Sequence, residues 1–187
     1  MLTEAQIERY SRQIVLPEVG GGGQERLLAA RVVLAGDGPA AEAAATLLGR
    51  AGVGALHLQA GAGALSELSP DCQVSRHAGL EEAPAAGVVV DLTPDTALSA
   101  VLARRAQAGR PCRRCFEPAF GAEETDREPS VVAPAALALG ALAATEALRV
   151  ILTAPAQGRL TTLRIFDGVL ATREPSTPGC PSCAVAS

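Results

Sequence analysis

The most unusual property of this chain is that it contains no lysine. All 16 basic residues of the 187-residue sequence are arginine, a bias that compositional drift toward Ala, Gly, Pro and Arg explains. The absence still excludes any chemistry that needs a lysine amine within this chain. Such chemistry includes a lysine that holds a nucleotide phosphate, a Schiff base and an isopeptide acceptor.

Aromatic residues and runs of basic residues are also scarce. The sequence has no tryptophan, one tyrosine and three phenylalanines, although 48% of it is hydrophobic. Its core must therefore consist of Ala, Leu and Val, which suit close packing of helices on a sheet within a single domain. The net charge of −4 and the lack of a basic run give no indication of nucleic-acid binding.

The chain also lacks the sequence patterns that direct a protein to a membrane. It opens without a signal-peptide pattern, and its longest apolar segment, 131–152, is interrupted by Glu146 and Arg149. We therefore expect a cytoplasmic protein with no membrane partner.

Cysteine is rare too, but four of the five cysteines form two C-x-x-C pairs, Cys112 with Cys115 and Cys180 with Cys183. These four thiolates can bind one structural zinc ion, because a two-residue spacer lets each pair present two sulfurs to a tetrahedral site. A redox-active site would need only one pair, and a reducing cytosol disfavours two disulfides. We predict a zinc site that closes the 64 residues between Cys115 and Cys180 into a loop and stabilises residues 112–183.

The order of apolar segments predicts an α/β fold with a Rossmann-like, mostly parallel sheet flanked by helices, preceded by a helical arm at residues 1–30. Thr3 and Gln6 form a capping-box pattern at the start of that arm. The first predicted element is a short helix that this capping box opens and that runs through Ile14 and stops before Pro17, followed by a flexible connector at Gly20–Gly23 and a helical turn at 24–28. Strands are predicted at 31–36, 54–59 and 87–91, with a short strand near 72–75. The remaining predicted elements are helices ending near 51 and spanning 95–108 and 131–152, and a hairpin of 160–166 and 169–173 across Asp167-Gly168.

A glycine-bearing turn follows the first predicted strand, where Rossmann-type proteins bind phosphate. Gly36 and Gly38 allow a tight turn and a close backbone approach, and Ala41 can replace a third glycine. Pro39, however, removes an N–H donor from the start of the helix. The second strand ends at Gln59 without the Asp or Glu that would hold ribose hydroxyls. The residues by themselves therefore argue against a complete nucleotide site.

Motifs at both ends of the chain carry a family resemblance. The N-terminal motifs are Arg9-Tyr-Ser-Arg-Gln-Ile-Val-Leu16, Gly23-Gln24, the Gly36/Gly38 turn and Ala51-Gly-Val-Gly54. The C-terminal motifs are the pair of Cys112 and Cys115, Pro134, Gly140, Glu146-Ala147, Asp167 and the Pro178-Gly-Cys-x-x-Cys ending. Over residues 7–59 and 87–183 the sequence resembles the E1-like family of MoeB, ThiF and HesA.

The resemblance implies a dimeric enzyme that binds ATP and magnesium and adenylates the C-terminal glycine of a ubiquitin-like protein, which in bacteria is usually a small sulfur carrier. It implies that Arg12 of the N-terminal helix reaches the ATP of the neighbouring subunit. It also implies that Gly36 and Gly38 face the nucleotide, and that Asp91 or Asp95 serves as the magnesium-binding acid.

Several positions depart from the family pattern. Pro39 and Ala41 replace two glycines of the turn, Ala60 stands at the ribose acid, and Pro94 takes the place of the magnesium acid unless Asp95 serves by a one-residue slip. No lysine is present to contact the phosphates. The remaining thiol, Cys72, is expected to be a partly buried residue without a catalytic role.

These departures favour a degenerate E1-like subunit that keeps the zinc site and Arg12 but has lost its own ATP site. Such a subunit would form a homodimer or heterodimer with an E1-like partner, or bind the carrier protein. One alternative is an active adenylyltransferase that uses ATP and magnesium. Another is a zinc-stabilised interaction module unrelated to carrier activation.

Overall fold

The computed structural model describes residues 1–59, 65, 67–78, 87–92, 99–105, 133–155, 158–164 and 169–173. Asp95, the second candidate for the magnesium acid, lies outside these ranges and stays a prediction. The same holds for all four predicted zinc ligands, which are Cys112, Cys115, Cys180 and Cys183.

Three helices form the N-terminal segment: α1 (Glu4–Arg9), α2 (Ser11–Ile14) and α3 (Gly20–Ala29). The capping box is present, since Gln6 N–H donates to Thr3 Oγ1 (3.2 Å) and Thr3 N–H donates to Gln6 Oε1 (3.1 Å). The predicted flexible connector at Gly20–Gly23 is wrong, because these glycines form the first turn of α3. A Cβ at Gly23 would lie 3.1 Å from the Leu152 side chain, so tertiary packing outweighs the low helix propensity of glycine.

The remaining elements alternate between strands and helices before a run of strands at the end of the chain. They are β1 (Arg31–Ala35), α4 (Gly38–Arg50), β2 (Ala55–Gln59), β3 (Gln73–His77), β4 (Val88–Asp91), β5 (Ser99–Arg105), α5 (Ala133–Thr153), β6 (Arg159–Arg164) and β7 (Val169–Arg173).

The strands form one sheet in the order β3-β2-β1-β4-β5-β6-β7. The first four are parallel, as predicted, and β5, β6 and β7 are antiparallel to their neighbours. The sheet is therefore mixed rather than mostly parallel. β6 and β7 pair from Leu160↔Arg173 to Arg164↔Val169, and the predicted turn at Asp167-Gly168 lies outside the described residues.

The predicted helix over 95–108 is wrong where the structure describes it, because residues Ser99–Arg105 form β5. Ala, Leu and Arg favour helix in isolation, but this segment pairs with β4 on one side and β6 on the other. Hydrogen bonds to two neighbouring strands satisfy its backbone. Val101 and Ala103 are fully buried on the face toward α5. Their spacing of two residues is that of side chains on one face of a strand, which agrees with β5 packing against the core.

Small residues let α4 and α5 pack closely on the same face of the sheet. A Cβ at Gly140 of α5 would lie 2.5 Å from the Ala40 carbonyl oxygen and 2.6 Å from Ala43 Cβ. Only glycine fits this crossing. The buried core around it consists of Ala, Leu and Val, with Tyr10 as its one large aromatic side chain among the described residues.

Helix α5 is long and apolar enough to cross a membrane by length and composition, yet its residues 134–153 are half buried inside the fold. It also carries Glu146, whose side chain is 3% exposed. Arg159 donates from Nη2 to Glu146 Oε1 (2.5 Å) and from Nε to Oε2 (2.8 Å), and Arg149 Nε donates to the same Oε2 (3.0 Å). These contacts identify α5 as a core helix that is tied to β6 through Arg159.

The Glu146 carboxylate is held in its charged form. Burial alone raises its pKa, but hydrogen bonds from Arg159 and Arg149 outweigh burial, so the net shift is downward. Its contribution to stability is therefore present above the unfolded-state value of about 4.3 and disappears as pH falls through the lowered folded-state pKa.

We predict that Glu146→Gln lowers the free energy of unfolding at pH 7 by about 3–5 kcal/mol, because two guanidinium groups lose their buried partner. Urea denaturation measures the loss, and the difference from wild type should shrink as pH falls below about 4. Glu25→Gln, at an exposed acid that pairs with the N-terminus, is the control and should change stability by less than about 0.5 kcal/mol. A Glu146→Gln variant as stable as wild type at pH 7 would contradict the role assigned to these contacts.

Candidate functional site

The candidate site lies at the carboxyl ends of β1, β2 and β4, where α/β sheets of this kind bind ligands. β1 lies between β2 and β4 in the sheet. The chain passes from β1 to β2 and β3 on one side, and β4 then lies on the other side of β1, so the strand order reverses at β1. Ligands bind at such reversal points in open α/β sheets. Gly36 has φ +116° and Gly38 has φ +74°, which favour glycine at both positions. A Cβ at Gly36 would lie 3.0 Å from Leu92 Cβ, so the turn also packs tightly against the end of β4.

Gln59 occupies the end of β2 and closes the turn. Its side-chain Oε1 accepts the Gly36 N–H at 3.0 Å. In a nucleotide-binding Rossmann protein, this strand end carries an acid for the ribose, and the glycine turn approaches the phosphates. Here the amide joins the strand end to the turn, so the Gly36 N–H is already satisfied within the protein. The sequence showed the missing acid but not this contact, which depends on strand register.

Asp37 is the residue of this site that the sequence analysis missed. It is the N-cap residue of α4, it is exposed, and its side chain makes no capping hydrogen bond. Its carboxylate therefore places negative charge at the positive end of the α4 dipole, where a phosphate would bind. Pro39 in the first turn contributes no N–H donor. The charge of Asp37 and the missing N–H of Pro39 both disfavour binding of a phosphate at the start of α4.

Asp91 is the second acid at this edge. It ends β4, pairs with Ala35 at the end of β1 and is half-buried. Gln59, Ala35 and Asp91 thus end three neighbouring strands at one level of the sheet. A carboxylate here could contact a divalent cation, and the assignment of Asp91 as the magnesium acid stays a prediction.

Arg12 lies far from this turn in sequence, on α2, and its side chain is exposed. The arm that carries it is fastened to the loop before β3 by Asp71, which accepts from Arg9 Nη1 (2.6 Å), Tyr10 OH (2.8 Å) and Gln6 Nε2 (3.1 Å). Burial raises the pKa of Asp71, but these hydrogen bonds outweigh it and lower the pKa overall. The fold therefore holds the arm firmly and leaves Arg12 available on its surface.

Cys72 precedes β3 and is half-buried as a free thiol. Burial raises its pKa to about 11, so the thiol stays protonated at neutral pH. A protonated, half-buried thiol is a poor nucleophile, which agrees with the expectation that Cys72 has no catalytic role.

A chain of polar contacts across β2 and β3 joins the buried His57 to Ser75 and His77. Ser75 Oγ lies 2.6 Å from His57 Nδ1 and 2.9 Å from His77 Nε2. Burial, His77 and Arg31 lower the pKa of His57, so this imidazole is neutral at pH 7. We treat the chain as a structural link between β2 and β3.

The described part of the molecule contains no alternative to the predicted zinc site. Within these residues, no group of three or more His, Cys, Asp or Glu side chains could hold a metal ion. This result does not bear on the predicted ligands themselves, since Cys112, Cys115, Cys180 and Cys183 lie beyond the described ranges. The four-cysteine site therefore rests on the sequence spacing.

Comparison with known proteins gives partial sequence matches. No family model matches the chain. It is 51% identical over 57 residues to the adenylyltransferase and sulfurtransferase MOCS3 of Bos taurus, which covers 30% of this chain and 12% of that protein. It is 47% identical over 60 residues to heterocyst HesA of Trichormus variabilis (32% and 22%) and 47% identical over 55 residues to the SAMP-activating enzyme E1 of Haloferax volcanii (29% and 20%).

Over about a third of its length, the chain is similar to E1-like proteins of the MoeB/ThiF/HesA family. The aligned segments cover less than a quarter of each of these relatives.

Solved structures of two other proteins have a similar fold over nearly all of the chain. Escherichia coli MccB with ATP superposes with a TM-score of 0.62 at 14% identity, over 94% of this chain and 74% of MccB. PaaA superposes with a TM-score of 0.57 at 14% identity, over 93% of this chain and 84% of PaaA. At this identity the likeness concerns the fold alone.

We predict that Gln59→Leu releases the glycine turn. The buried Gly36 N–H would lose its acceptor, which costs about 1–3 kcal/mol and speeds exchange of that amide hydrogen. Urea denaturation and hydrogen exchange at Gly36 measure the two effects. Gln59→Glu keeps an acceptor oxygen at the same reach and is the matched control. Unchanged Gly36 exchange in Gln59→Leu would show that the hydrogen bond does not hold the turn.

Proposed function

We propose that this chain is a degenerate E1-like subunit: a zinc-stabilised dimer partner or scaffold for carrier-protein activation, with its own nucleotide site closed. The observation that carries the proposal is the hydrogen bond from the Gly36 N–H to Gln59 Oε1. It occupies a phosphate-loop donor and uses the strand end that would otherwise bind ribose.

The charges around the turn support the same proposal. Transfer of an adenylyl group depends mainly on positioned positive charge, and each missing contact reduces the rate by orders of magnitude. At this turn the exposed side chain is Asp37, an acid, and no lysine exists in the chain to compensate for it. ATP and its magnesium ion would therefore bind weakly to this subunit.

The names of the relatives indicate the process in which such a subunit would act. They include an adenylyltransferase and sulfurtransferase and an activating enzyme E1. A ubiquitin-like sulfur carrier and an E1-like partner are accordingly the macromolecules we propose for this chain. In that assembly, the exposed Arg12 would contribute to the partner's nucleotide site, and the firmly attached arm would present it across a dimer interface.

An active adenylyltransferase is the second candidate, and Asp91 is the observation that favours it. Its carboxyl group ends β4 beside the glycine turn, where it could bind magnesium. We rank this function below the first, because one acid does not replace the missing positive contacts.

The topology of the sheet supports the proposed zinc site. β5 ends at Arg105 and β7 ends at Arg173, on the same side of the sheet, and each strand end precedes its cysteine pair by the same number of residues, 105 to 112 and 173 to 180. β6 lies between these two strands, and the register places Arg173 level with Leu102, which precedes Arg105 on β5. At about 4.8 Å between neighbouring strands and about 3.3 Å per residue along a strand, the ends of β5 and β7 lie roughly 14 Å apart. Chains of this length reach about 23 Å, so both pairs could meet at one ion.

We predict that the zinc-loaded protein alone shows no measurable affinity for ATP and magnesium in a calorimetric titration, which means a Kd weaker than about 1 mM. E. coli MccB, whose crystals contain ATP, is the positive control. In a mixture with a complete E1-like relative, ATP should bind, and Arg12→Ala should weaken that binding while Arg26→Ala does not. ATP-dependent pyrophosphate exchange by this chain alone, with a carrier protein, would establish the active enzyme instead. No effect of Arg12→Ala on any partner would favour an unrelated interaction module.

We predict one zinc ion per chain by elemental analysis. Replacement by serine at any one of Cys112, Cys115, Cys180 and Cys183 should release the metal and lower the melting temperature, because binding free energy at such a site contributes to folding. Cys72→Ser is the matched control and should retain the zinc. Full zinc content in both Cys112→Ser and Cys183→Ser would refute the four-cysteine site.

A further inference from the structure

The first two helices are attached to the rest of the fold through one buried tyrosine. Tyr10 is 1% exposed, and it is the only buried residue of 1–22, all of which the structure describes. It also joins the two helices. Its N–H donates to the Gln6 carbonyl oxygen (2.9 Å) at the end of α1, and its own carbonyl oxygen accepts from the Gln13 N–H (2.9 Å) at the start of α2. The seating of Tyr10 therefore sets the direction of α2.

A socket built from three other segments receives the Tyr10 side chain. Gly52 follows α4 with φ +86°, and a Cβ there would lie 2.6 Å from Tyr10 Cζ, so only glycine leaves room for the ring. The same Cβ would lie 2.7 Å from Nε2 of the buried Gln24 on α3. In the loop before β3, Ser69 Oγ lies 2.5 Å from the tyrosine hydroxyl, and Asp71 Oδ2 accepts from it at 2.8 Å. The socket thus holds both the ring and its hydroxyl group.

Asp71 is the main polar attachment of this arm. Its carboxylate accepts three hydrogen bonds from the arm, which come from Gln6, Arg9 and Tyr10. The Asp71 side chain is 20% exposed, so these bonds are partly shielded from water and contribute more than a surface pair does. The ion pair of the N-terminal amino group with Glu25 is exposed and contributes little.

Arg12 lies two residues beyond Tyr10 and has no anchor of its own. Helix α2 spans four residues and contains no buried side chain. The next hydrophobic side chain that packs against the core is Val19, and residues 11–18 are exposed or half-buried. A single helical turn is not stable in isolation. The position of Arg12 therefore depends on how Tyr10 sits in its socket.

We propose that Tyr10, held by Asp71, is a positioning residue for Arg12. The inference rests on the proposed function, in which Arg12 contributes to the nucleotide site of an E1-like partner. Such a contact is sensitive to geometry, because a displacement of about 1 Å can reduce a rate about a hundredfold. Tyr10 and Asp71 act on the partner's site only through the direction of α2.

The first measurement uses the fact that Tyr10 is the single tyrosine of a chain without tryptophan. Acrylamide quenching of tyrosine fluorescence in the zinc-loaded protein alone therefore reports the solvent access of this one side chain. The quenching constant should be low in wild type and in Arg12→Ala, and about twofold higher or more in Asp71→Ala, because the arm detaches. Glu67→Ala is the matched control at an exposed acid of the same loop, and it should leave quenching unchanged.

The second measurement is the calorimetric affinity for ATP and magnesium of the chain mixed with a complete E1-like relative. Arg12→Ala and Asp71→Ala should each weaken binding about tenfold or more. The double variant Arg12→Ala/Asp71→Ala should bind as tightly as Arg12→Ala, since Asp71 acts only through Arg12. Glu67→Ala should change the affinity by less than about twofold.

Circular dichroism checks that every variant is folded. If Asp71→Ala does not fold, Tyr10→Phe replaces it in the affinity measurement, because this variant keeps the ring and removes only the hydroxyl group.

The outcomes separate this inference from the proposed function. A loss in Arg12→Ala without a loss in Asp71→Ala would overturn the inference and leave the proposed function standing. No loss in Arg12→Ala would overturn the proposed role of Arg12 and the inference with it. Unchanged quenching in Asp71→Ala would show that Asp71 does not hold the arm. Additive losses in the double variant would show that Asp71 acts by a route other than Arg12.

Discussion

The close contact between α4 and α5 is the constraint on which the rest of this structure depends. Gly140 allows α5 to touch the backbone of α4 at Ala40, one residue beyond Pro39. This contact fixes the start of α4 from one side, while Leu92 and Gln59 fix the preceding Gly36 turn from the other. The turn is therefore held in place by the protein itself, and a ligand is not needed to order it.

For the degenerate subunit that we propose, this arrangement gives a physical reason why the turn is stable without a nucleotide. A loop that binds phosphate presents N–H groups that need acceptors, and buried donors without acceptors are costly. In this chain Gln59 supplies one acceptor, and Pro39 has no N–H to satisfy. Asp37 provides the negative charge that the helix dipole favours. Gln59, Pro39 and Asp37 each reduce the number of donors or the positive charge that a bound nucleotide would otherwise satisfy. The three residues therefore act in the same direction.

Local sequence signals predicted most of the parallel half of the sheet and little of the antiparallel half. The strands β1, β2 and β4 are continuous apolar runs bounded by glycine, acid or glutamine, and α5 is a long Ala- and Leu-rich segment, so pattern alone identified them. β5 was missed, because its Ala, Leu and Arg favour helix until β4 and β6 pair with it. The glycines of α3 were misassigned for a similar reason, since packing against Leu152 decides their conformation.

The residues of the candidate site also differ in how well the sequence predicts them. Gly36, Gly38 and Asp91 were identifiable because they follow predicted strands, whereas the Gln59 contact required the register between β1 and β2.

Strand direction also places the carboxyl ends of β1 and β4 on one side of the sheet and those of β5 and β7 on the other. Acids Asp37 and Asp91 follow the carboxyl ends of parallel strands, while the antiparallel β5 and β7 run back and deliver their terminal arginines to the other side. Arginine rather than lysine is important at Glu146, because the Arg159 guanidinium donates to both carboxylate oxygens and Arg149 also donates to Oε2. The ion pair between Arg159 and Glu146 therefore attaches the core helix α5 to strand β6 through arginine chemistry that lysine could not supply.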